Sequence, residues 1–408
     1  METQNEQASY ILLNDSLSLS YDKSKCFVNG NESKKEGSTK SSAEECLERQ
    51  RLFYDSYLKR HWKNVVILCG AGTSIENGGK KSNGKTRVEL WADCKAEIDA
   101  ICNKIKDLDT KELDKKDFYD KKDIEGFLSH ILLYEKFIDE PNRAVIVKLR
   151  KALESKIAKA CKLKLDKSAP HTTFLNKITA RKASDPRVKI FTTNYDSLFE
   201  QASNKGGFIV IDGFSFSHPR RFAGGFFDID VVNRDKTRIK QEESFVSKVF
   251  QLYKLHGSLN WVKEADGSIA QKEETNEPLI IYPANDKYES SYEQPYFEMM
   301  ARFQQALRKE NTLLIVIGFG FQDKHIKNAI VEAVDQNPSF QLLIINYNVT
   351  QSIDPKGLEE FFANVVEMQV KSNVTITFDS FANFTTKYPS NSTYMEPMKG
   401  ETNEPIQS

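Results

Sequence analysis

At residues 65–74 the chain reads Val65-Val66-Ile67-Leu68-Cys69, followed at once by Gly70-Ala71-Gly72-Thr73-Ser74. The apolar run predicts a short buried strand, because β-branched runs of this length are typical of parallel sheets covered on both faces. The glycines predict a tight turn from the strand into a helix. In dinucleotide-binding folds such a turn lets backbone N–H groups approach a pyrophosphate. Because Ile75 stands where the usual fingerprint has a third glycine, a turn that needs glycine for geometry alone remains the alternative.

Similar apolar runs recur along the chain and alternate with segments of helical pattern. A helix is predicted over 44–62, before the first strand, and another over 324–336. Further strands are predicted at 188–192, 208–211, 279–282, 313–317, 342–345 and 374–378. Apolar strands separated by helices predict an α/β fold with a Rossmann-like, doubly wound parallel sheet.

The pattern along the chain predicts one large domain with two polar ends. Residues 1–45 are expected to form a polar N-terminal arm that is disordered or orders on a partner, and residues 386–408 a polar, mobile tail. Residues 46–385 would form the domain, with a helical insertion at about 88–167. Residues 148–167 of this insertion hold eight basic and two acidic side chains. This basic face is either a solvated flank or a contact surface for an acidic or nucleic-acid partner.

Charge balance and cysteine spacing exclude several classes of protein. The 408 residues carry 58 basic and 58 acidic side chains, and this zero net charge argues against autonomous nucleic-acid binding. The longest nearly apolar stretch is far shorter than the roughly 20 residues of a membrane helix, and no signal peptide is evident, so we expect a cytoplasmic protein. The six cysteines never occur as Cys-x-x-Cys, which predicts reduced thiols and no structural zinc.

Polar motifs follow several of the predicted strands. The run Thr192-Thr193-Asn194-Tyr195-Asp196 places an amide beside an acid, which suits the orientation of a carboxamide or a ribose, although helix capping by Asn194 or Asp196 is the alternative. His256, next to Gly257, can act as a base near neutral pH, although a lone histidine is more often structural.

Two more motifs complete the set. The run Gly318-Phe319-Gly320-Phe321-Gln322-Asp323 is a second glycine turn that opens a helix, and Asn346-Tyr347 ends a predicted strand. In a doubly wound sheet, ligands bind beyond the carboxyl ends of the strands. Most of these motifs fall at such ends, so the sequence predicts that they share one cleft.

The set and its order resemble the sirtuin family. Gly70-Ala71-Gly72-Thr73-Ser74 is similar to the family's GAG-x-S turn, and Thr193-Asn194-Tyr195-Asp196 to its Q-N-[IV]-D segment. His256-Gly257 matches the family's H-G pair. Gly318-Phe319-Gly320 and Asn346 lie where the family has a G-T-S turn and a strand-end asparagine. The resemblance covers about residues 60–350.

Two departures bear on the activity that the resemblance implies. Protein-deacylating sirtuins carry two Cys-x-x-Cys pairs after the H-G motif, whereas this chain has no cysteine between His256 and residue 279. The deacylase segment I-P-D-F-R is replaced by Ile75-Glu76-Asn77-Gly78-Gly79. What remains is similar to the sirtuin-like NAD hydrolases of prokaryotic antiphage defence, so the resemblance implies NAD as the substrate and no zinc.

The resemblance also implies roles for individual residues. Asn194 would orient the nicotinamide ribose and the attacking water, Asp196 would contact the carboxamide, and His256 would accept a proton. Gly70, Gly72 and Ser74 would hold the diphosphate of NAD, and Gly318 and Asn346 would lie near its adenosine half. Ala71 and Phe319, in the two glycine turns, would also belong to the NAD-binding residues.

Because uncontrolled loss of NAD kills a cell, the resemblance implies restraint by self-assembly into a homo-oligomer or by a partner. The chain resembles the sirtuin-like subunit paired with a HerA-like DNA-translocase ATPase, and an Argonaute-type partner is the second option. The alternatives are an NAD-dependent protein deacylase or ADP-ribosyltransferase, and a non-catalytic module that senses NAD or ADP-ribose.

Overall fold

The computed structural model describes residues 9–22, 25–33, 40–79, 82–107, 118–120, 122–182, 184–233, 245–273, 275, 277–280, 294–347, 365 and 371–391. The strands are β1 Ser9–Leu13, β2 Ser18–Tyr21, β3 Cys26–Val28, β4 Asn31–Glu32, β5 Asn64–Cys69, β6 Lys189–Thr192, β7 Ile209–Ile211, β8 Val249–Lys254, β9 Gly257–Ser258, β10 Trp261–Lys263, β11 Ile269–Gln271, β12 Leu279–Ile280, β13 Thr312–Ile317, β14 Phe340–Asn346 and β15 Val374–Phe378. The helices are α1 Ser42–Leu58, α2 Ala71–Ile75, α3 Arg87–Asp107, α4 Ile124–Tyr134, α5 Asn142–Cys161, α6 His171–Thr179, α7 Leu198–Gly206, α8 Tyr296–Leu307, α9 Lys324–Gln336 and α10 Phe381–Lys387.

An eleven-stranded, mostly parallel sheet organises the molecule. Its order is β4-β3-β2-β1-β15-β14-β13-β5-β6-β8-β7, and the seven strands from β15 to β7 are parallel. In chain order, β6, β7 and β8 all lie on one side of β5, and β13 then pairs with β5 on its other side. The strand order therefore reverses between β5 and β13, and that reversal is where ligands bind in such sheets.

Helices cover both faces of the parallel strands, which confirms the doubly wound α/β prediction. Along β13 the side chains alternate between the two faces: Leu314 and Val316 pack into one core, and Leu313, Ile315 and Ile317 into the other. Helices α8 and α9 contribute to the first core, and α1, α6, α7 and α10 to the second. Most residues of these strands are apolar because both faces of the sheet are buried, although β8 also buries Gln251 and Lys254.

The N-terminal region differs from the predicted polar arm. Residues 9–33, where described, form β1 to β4, an antiparallel meander that joins the sheet through β1 and β15. Alternation places only a few apolar side chains, Ile11, Leu12 and Leu19, in a small core beneath α1, so the segment is polar in composition although it is ordered. Cys26 and Cys46 form a disulfide between β3 and α1, which corrects the expectation of six reduced thiols.

One omission and two further predictions need correction. β8 is an internal parallel strand between β6 and the edge strand β7, although the sequence pattern did not predict it as a strand. The apolar run at 279 forms β12, which pairs with β9 in a separate two-stranded sheet. The predicted tail begins inside α10, and Lys177 Nζ donates to the carbonyls of Thr385, Thr386 and Tyr388 at 2.8–2.9 Å. The rest of that predicted tail, from residue 392, lies outside the described residues.

The helical insertion packs around its own core. Its helices α3, α4 and α5 bury Trp91, Phe127, Leu128 and Ile157 among themselves, apart from the two cores of the sheet. Several basic side chains of α5 form ion pairs within the insertion, including Arg150 with Glu135 at 2.6 Å and Lys156 with Glu97 at 2.8 Å. No helix in the described ranges is long and apolar enough to cross a membrane.

Candidate functional site

The strand register brings the predicted motifs to one edge of the sheet. Paired residues form a continuous row across five parallel strands: Ile345, Ile317, Cys69, Thr192 and Lys254. One residue beyond this row stand Asn346, Gly318 and Gly70, and two residues beyond it stand Asn194 and His256. The carboxyl edge of the sheet therefore carries all five motifs, whereas the sequence predicted this position for most of them.

The two glycine turns touch each other at the point where the strand order reverses. A Cβ on Gly72 would lie 2.6 Å from the Cα of Gly318, and one on Gly70 would lie 2.6 Å from the Gly318 carbonyl oxygen. Gly318 has a φ of +60°, which glycine adopts without strain. The N–H of Gly72 donates to the Gly318 carbonyl at 3.1 Å, and that of Gly70 donates to the Ile317 carbonyl at 2.9 Å. Backbone contact between the turns is thus sufficient to explain why these positions hold glycine.

Asn194 is fixed by its amide nitrogen. Nδ2 donates to the Gly70 carbonyl at 2.9 Å, to Thr73 Oγ1 at 3.0 Å and to Ser74 Oγ at 2.8 Å. Because a carbonyl can only accept, this environment requires the nitrogen on that side of the amide. The partly exposed Asn194 is therefore left with its Oδ1 atom for a ligand or water.

Asp196 supports the same loop from within. Its Oδ2 accepts from Ser74 Oγ at 2.5 Å, and its Oδ1 accepts from the N–H of Leu198 at 3.0 Å, at the start of α7. The buried Lys254 donates to the Asp196 carbonyl and pairs with Glu200 at 3.2 Å. Asp196 Oδ1 therefore does cap the start of α7, as the alternative interpretation expected. The contact of Asp196 with the carboxamide of nicotinamide stays a prediction.

His256 lies between two carboxylates. It follows β8 and is buried, and its Nε2 is 3.0 Å from Asp323 Oδ2. Asp323 also caps α9, because its Oδ1 accepts from the N–H groups of His325 at 2.9 Å and Ile326 at 3.1 Å. A carboxylate can only accept, so the neutral imidazole carries its proton on Nε2 and leaves the lone pair on Nδ1.

The electrostatics of this pair favour its charged forms. Burial acts to lower the pKa of His256, but the hydrogen bond to Asp323 and the charges of Glu125 and Asp323 outweigh it, so the pKa is raised above 6.5. Burial acts to raise the pKa of Asp323, but the hydrogen bond and charge of His256, with the backbone hydrogen bond from Ile326, together outweigh burial and the pKa is lowered. The imidazole is thereby made a stronger base than an isolated histidine.

The second carboxylate, Glu125, comes from the first turn of α4 in the insertion. Its Oε1 lies 3.9 Å from His256 Nδ1 and accepts from the Tyr195 hydroxyl at 2.9 Å. Nδ1 itself has no hydrogen-bond partner among the described residues. Sequence reasoning missed Glu125 and gave Asp323 no role. Asp323 could have been found as a helix N-cap just past a strand, whereas nothing near residue 125 marks a site.

The remaining predicted residues lie at the same edge but farther along the row. Asn346 ends β14 opposite Phe378, and its carbonyl accepts from the N–H of Asp379 at 2.8 Å. Phe319 is buried against Phe321. Gly257 has a φ of +83°, and a Cβ there would lie 2.2 Å from the Leu279 carbonyl, so glycine beside His256 lets β9 pair with β12. Within the described ranges, no group of three or more His, Cys, Asp or Glu side chains could hold a metal ion.

Comparison with known families agrees with this geometry. Residues 188–363 match the model of the SIR2-like domain, a region that begins just before β6 and includes the motifs at Asn194, His256 and Gly318. The Gly70 turn and the helical insertion precede the matched region. No curated protein matches the chain. Residues 188–363 are therefore similar to a SIR2-like domain, and Asn194, His256 and Gly318 lie within that region.

Proposed function

We propose that the protein is an NAD⁺ hydrolase that cleaves the bond between nicotinamide and ribose and releases nicotinamide and ADP-ribose. The match to the SIR2-like domain supports NAD-dependent chemistry in general. One observation carries the specific proposal: Asn194 and His256 follow neighbouring strands, each two residues beyond the paired positions Thr192 and Lys254. The carboxylate of Asp323 orients the imidazole of His256. A module that only binds NAD has no need of an oriented base.

In the proposed reaction, nicotinamide leaves with the electron pair of the C–N bond, and the ribose passes through an oxocarbenium-like transition state. Water then forms the new bond to the ribose carbon, and its proton passes to Nδ1 of His256. Asn194 Oδ1 accepts a hydrogen bond from a ribose hydroxyl or from the water and so fixes their positions.

The same proposal assigns the rest of the dinucleotide. The diphosphate lies at the exposed outer side of the turn at Ala71, because the N–H groups of Gly70 and Gly72 are already bonded within the protein. Ser74 acts by holding Asn194 and Asp196 together. The adenosine half extends along the row towards Gly318, Phe319 and Asn346.

The test is NAD⁺ turnover by the purified protein, followed by liquid chromatography, with Asn194→Ala and His256→Ala. We expect nicotinamide and ADP-ribose from the parent protein and turnover lowered about 10²-fold or more in both variants. Asn204→Ala, on the exposed side of α7, and His61→Ala, at the amino end of β5, are matched controls that should retain activity.

The outcomes separate the alternatives. Normal turnover in a folded Asn194→Ala variant would contradict the assignment of the site. If the protein binds NAD⁺ but leaves it intact, even with its partner, the sensor function replaces the hydrolase. Transfer of acyl or ADP-ribosyl groups between NAD⁺ and added protein would favour the deacylase or transferase.

We further propose that the activity serves antiphage defence by depleting NAD⁺ and is restrained by homo-oligomerisation or by a HerA-like ATPase, with an Argonaute-type protein as the second option. This rests on the resemblance of the motifs. The candidate contact surfaces are the meander β1–β4 and those side chains of α5 for which no ion pair is found among the described residues. Co-purification with such an ATPase, and loss of that association when residues 1–33 are deleted, would support this proposal. Unchanged association after the deletion would show that the meander is not the contact surface.

A further inference from the structure

His256 Nδ1 and Glu125 Oε1 form an open pair of acceptors. At 3.9 Å they are too far apart for a direct hydrogen bond, and Nδ1 has no partner in the described part of the chain. A polar separation of this size is what one small bridging molecule spans. The Tyr195 hydroxyl holds Glu125 in place, so the pair joins the insertion to the loop that carries Asn194.

We propose that Glu125 is a catalytic residue that, together with His256 Nδ1, binds the nucleophilic water and selects it over other hydroxyl compounds. This rests on the proposed NAD⁺ hydrolysis. With Nε2–H donated to Asp323, Nδ1 is an acceptor, and the Glu125 carboxylate is an acceptor as well. The molecule between them must therefore supply two O–H donors, which water has and an alcohol or a single ribose hydroxyl does not. Because both donors of the water are then used, Asn194 Oδ1 accepts from a ribose hydroxyl, the first of its two possible partners.

The proton count follows from this geometry. As the water oxygen bonds to the ribose carbon, the C–N bond breaks towards nicotinamide, and one water proton moves to Nδ1. The second proton stays on the new anomeric hydroxyl, which remains hydrogen-bonded to Glu125. No co-reactant is needed beyond NAD⁺ and water.

The experiment measures competition between nucleophiles in a fixed mixture of water and methanol, with ADP-ribose and its O-methyl glycoside quantified. Glu125→Gln replaces one acceptor by an amide that can donate to the methanol oxygen. We expect the ratio of methanolysis to hydrolysis to rise about tenfold in this variant. Glu97→Gln, a carboxylate of the insertion that pairs with Lys156, is the matched control and should keep the parent ratio. An unchanged ratio in Glu125→Gln would overturn the proposal.

A second readout does not require turnover. In the part of the chain that the structure describes, the groups that face His256 are Asp323, Glu125 and Tyr195, and only Glu125 loses its charge in Glu125→Gln. Because the Glu125 charge raises the pKa of His256, the NMR titration of that imidazole should move to lower pH in the variant. If NAD⁺ is not cleaved at all, the proposed function fails, but this titration still tests whether Glu125 and His256 Nδ1 interact. A titration of His256 that is unchanged in Glu125→Gln would overturn the proposed pairing of these two residues.

Discussion

The carboxyl edge of the sheet and the helical insertion act on opposite nitrogens of His256. The sheet edge supplies Asp323, which bonds to Nε2 and is itself fixed as the cap of α9. The insertion supplies Glu125, which faces Nδ1 without bonding to it. The difference teaches that a rigid contact can set the tautomer of a base while a second, open contact leaves room for the reactant.

The strongest way to break this comparison is to remove the rigid contact. Asp323→Asn keeps an oxygen for the helix cap but places an N–H donor against Nε2, which forces the proton onto Nδ1 and removes the base. We expect NAD⁺ turnover to fall about 10²–10⁴-fold with little change in thermal stability. Asp123→Asn makes the same change at the cap of α4, where the carboxylate accepts from Gly126, and should leave turnover near the parent value. Equal activity in both variants would contradict the role of Asp323.

A second prediction concerns the contact between the glycine turns, on which the sheet edge depends. Gly72→Ala would push a methyl group into the Gly318 backbone, which cannot move aside as a side chain could. We expect the free energy of unfolding, from denaturant titration, to fall by about 1–3 kcal/mol. Gly320→Ala is the control, because a Cβ there has nothing within 4 Å. If both variants are equally stable, the contact between the turns does not constrain residue 72.

The smallest expected effect is at Glu76, which follows α2 and joins the first glycine turn to the C-terminal helix. Its two oxygens accept from the N–H groups of Phe381 at 3.0 Å and Ala382 at 2.8 Å, at the start of α10. Glu76→Gln loses one acceptor and the charge, and should lower the free energy of unfolding by about 1 kcal/mol in thermal melts. Glu48→Gln, in an exposed pair with Lys40, should be close to neutral. A Glu76→Gln variant as stable as the parent would show that water replaces the cap.

Sequence predicted the sheet edge far better than the insertion, for physical reasons. Buried parallel strands and glycine turns are local patterns, so β5, β13 and the turns at Gly70 and Gly318 could be located in advance. β8 was missed because its run, Val249–Lys254, mixes Gln251 and Lys254 with apolar residues and buries them through specific hydrogen bonds. Glu125 could not be predicted, since only tertiary packing brings α4 to His256. The strands of the N-terminal meander were not predicted because few of their residues are apolar.

The most decisive measurement is the pH dependence of kcat/KM for NAD⁺ cleavage, which reports the free enzyme. The account requires neutral His256, so activity must fall as the pH drops through the pKa of this residue. Because the hydrogen bond and charges of the carboxylates outweigh burial, that pKa is raised, and the acid limb should have its midpoint above pH 6.5. In His256→Ala any residual activity should lack this limb. A limb with its midpoint below pH 6.5, or one that persists in His256→Ala, would contradict the assignment of His256 as the base.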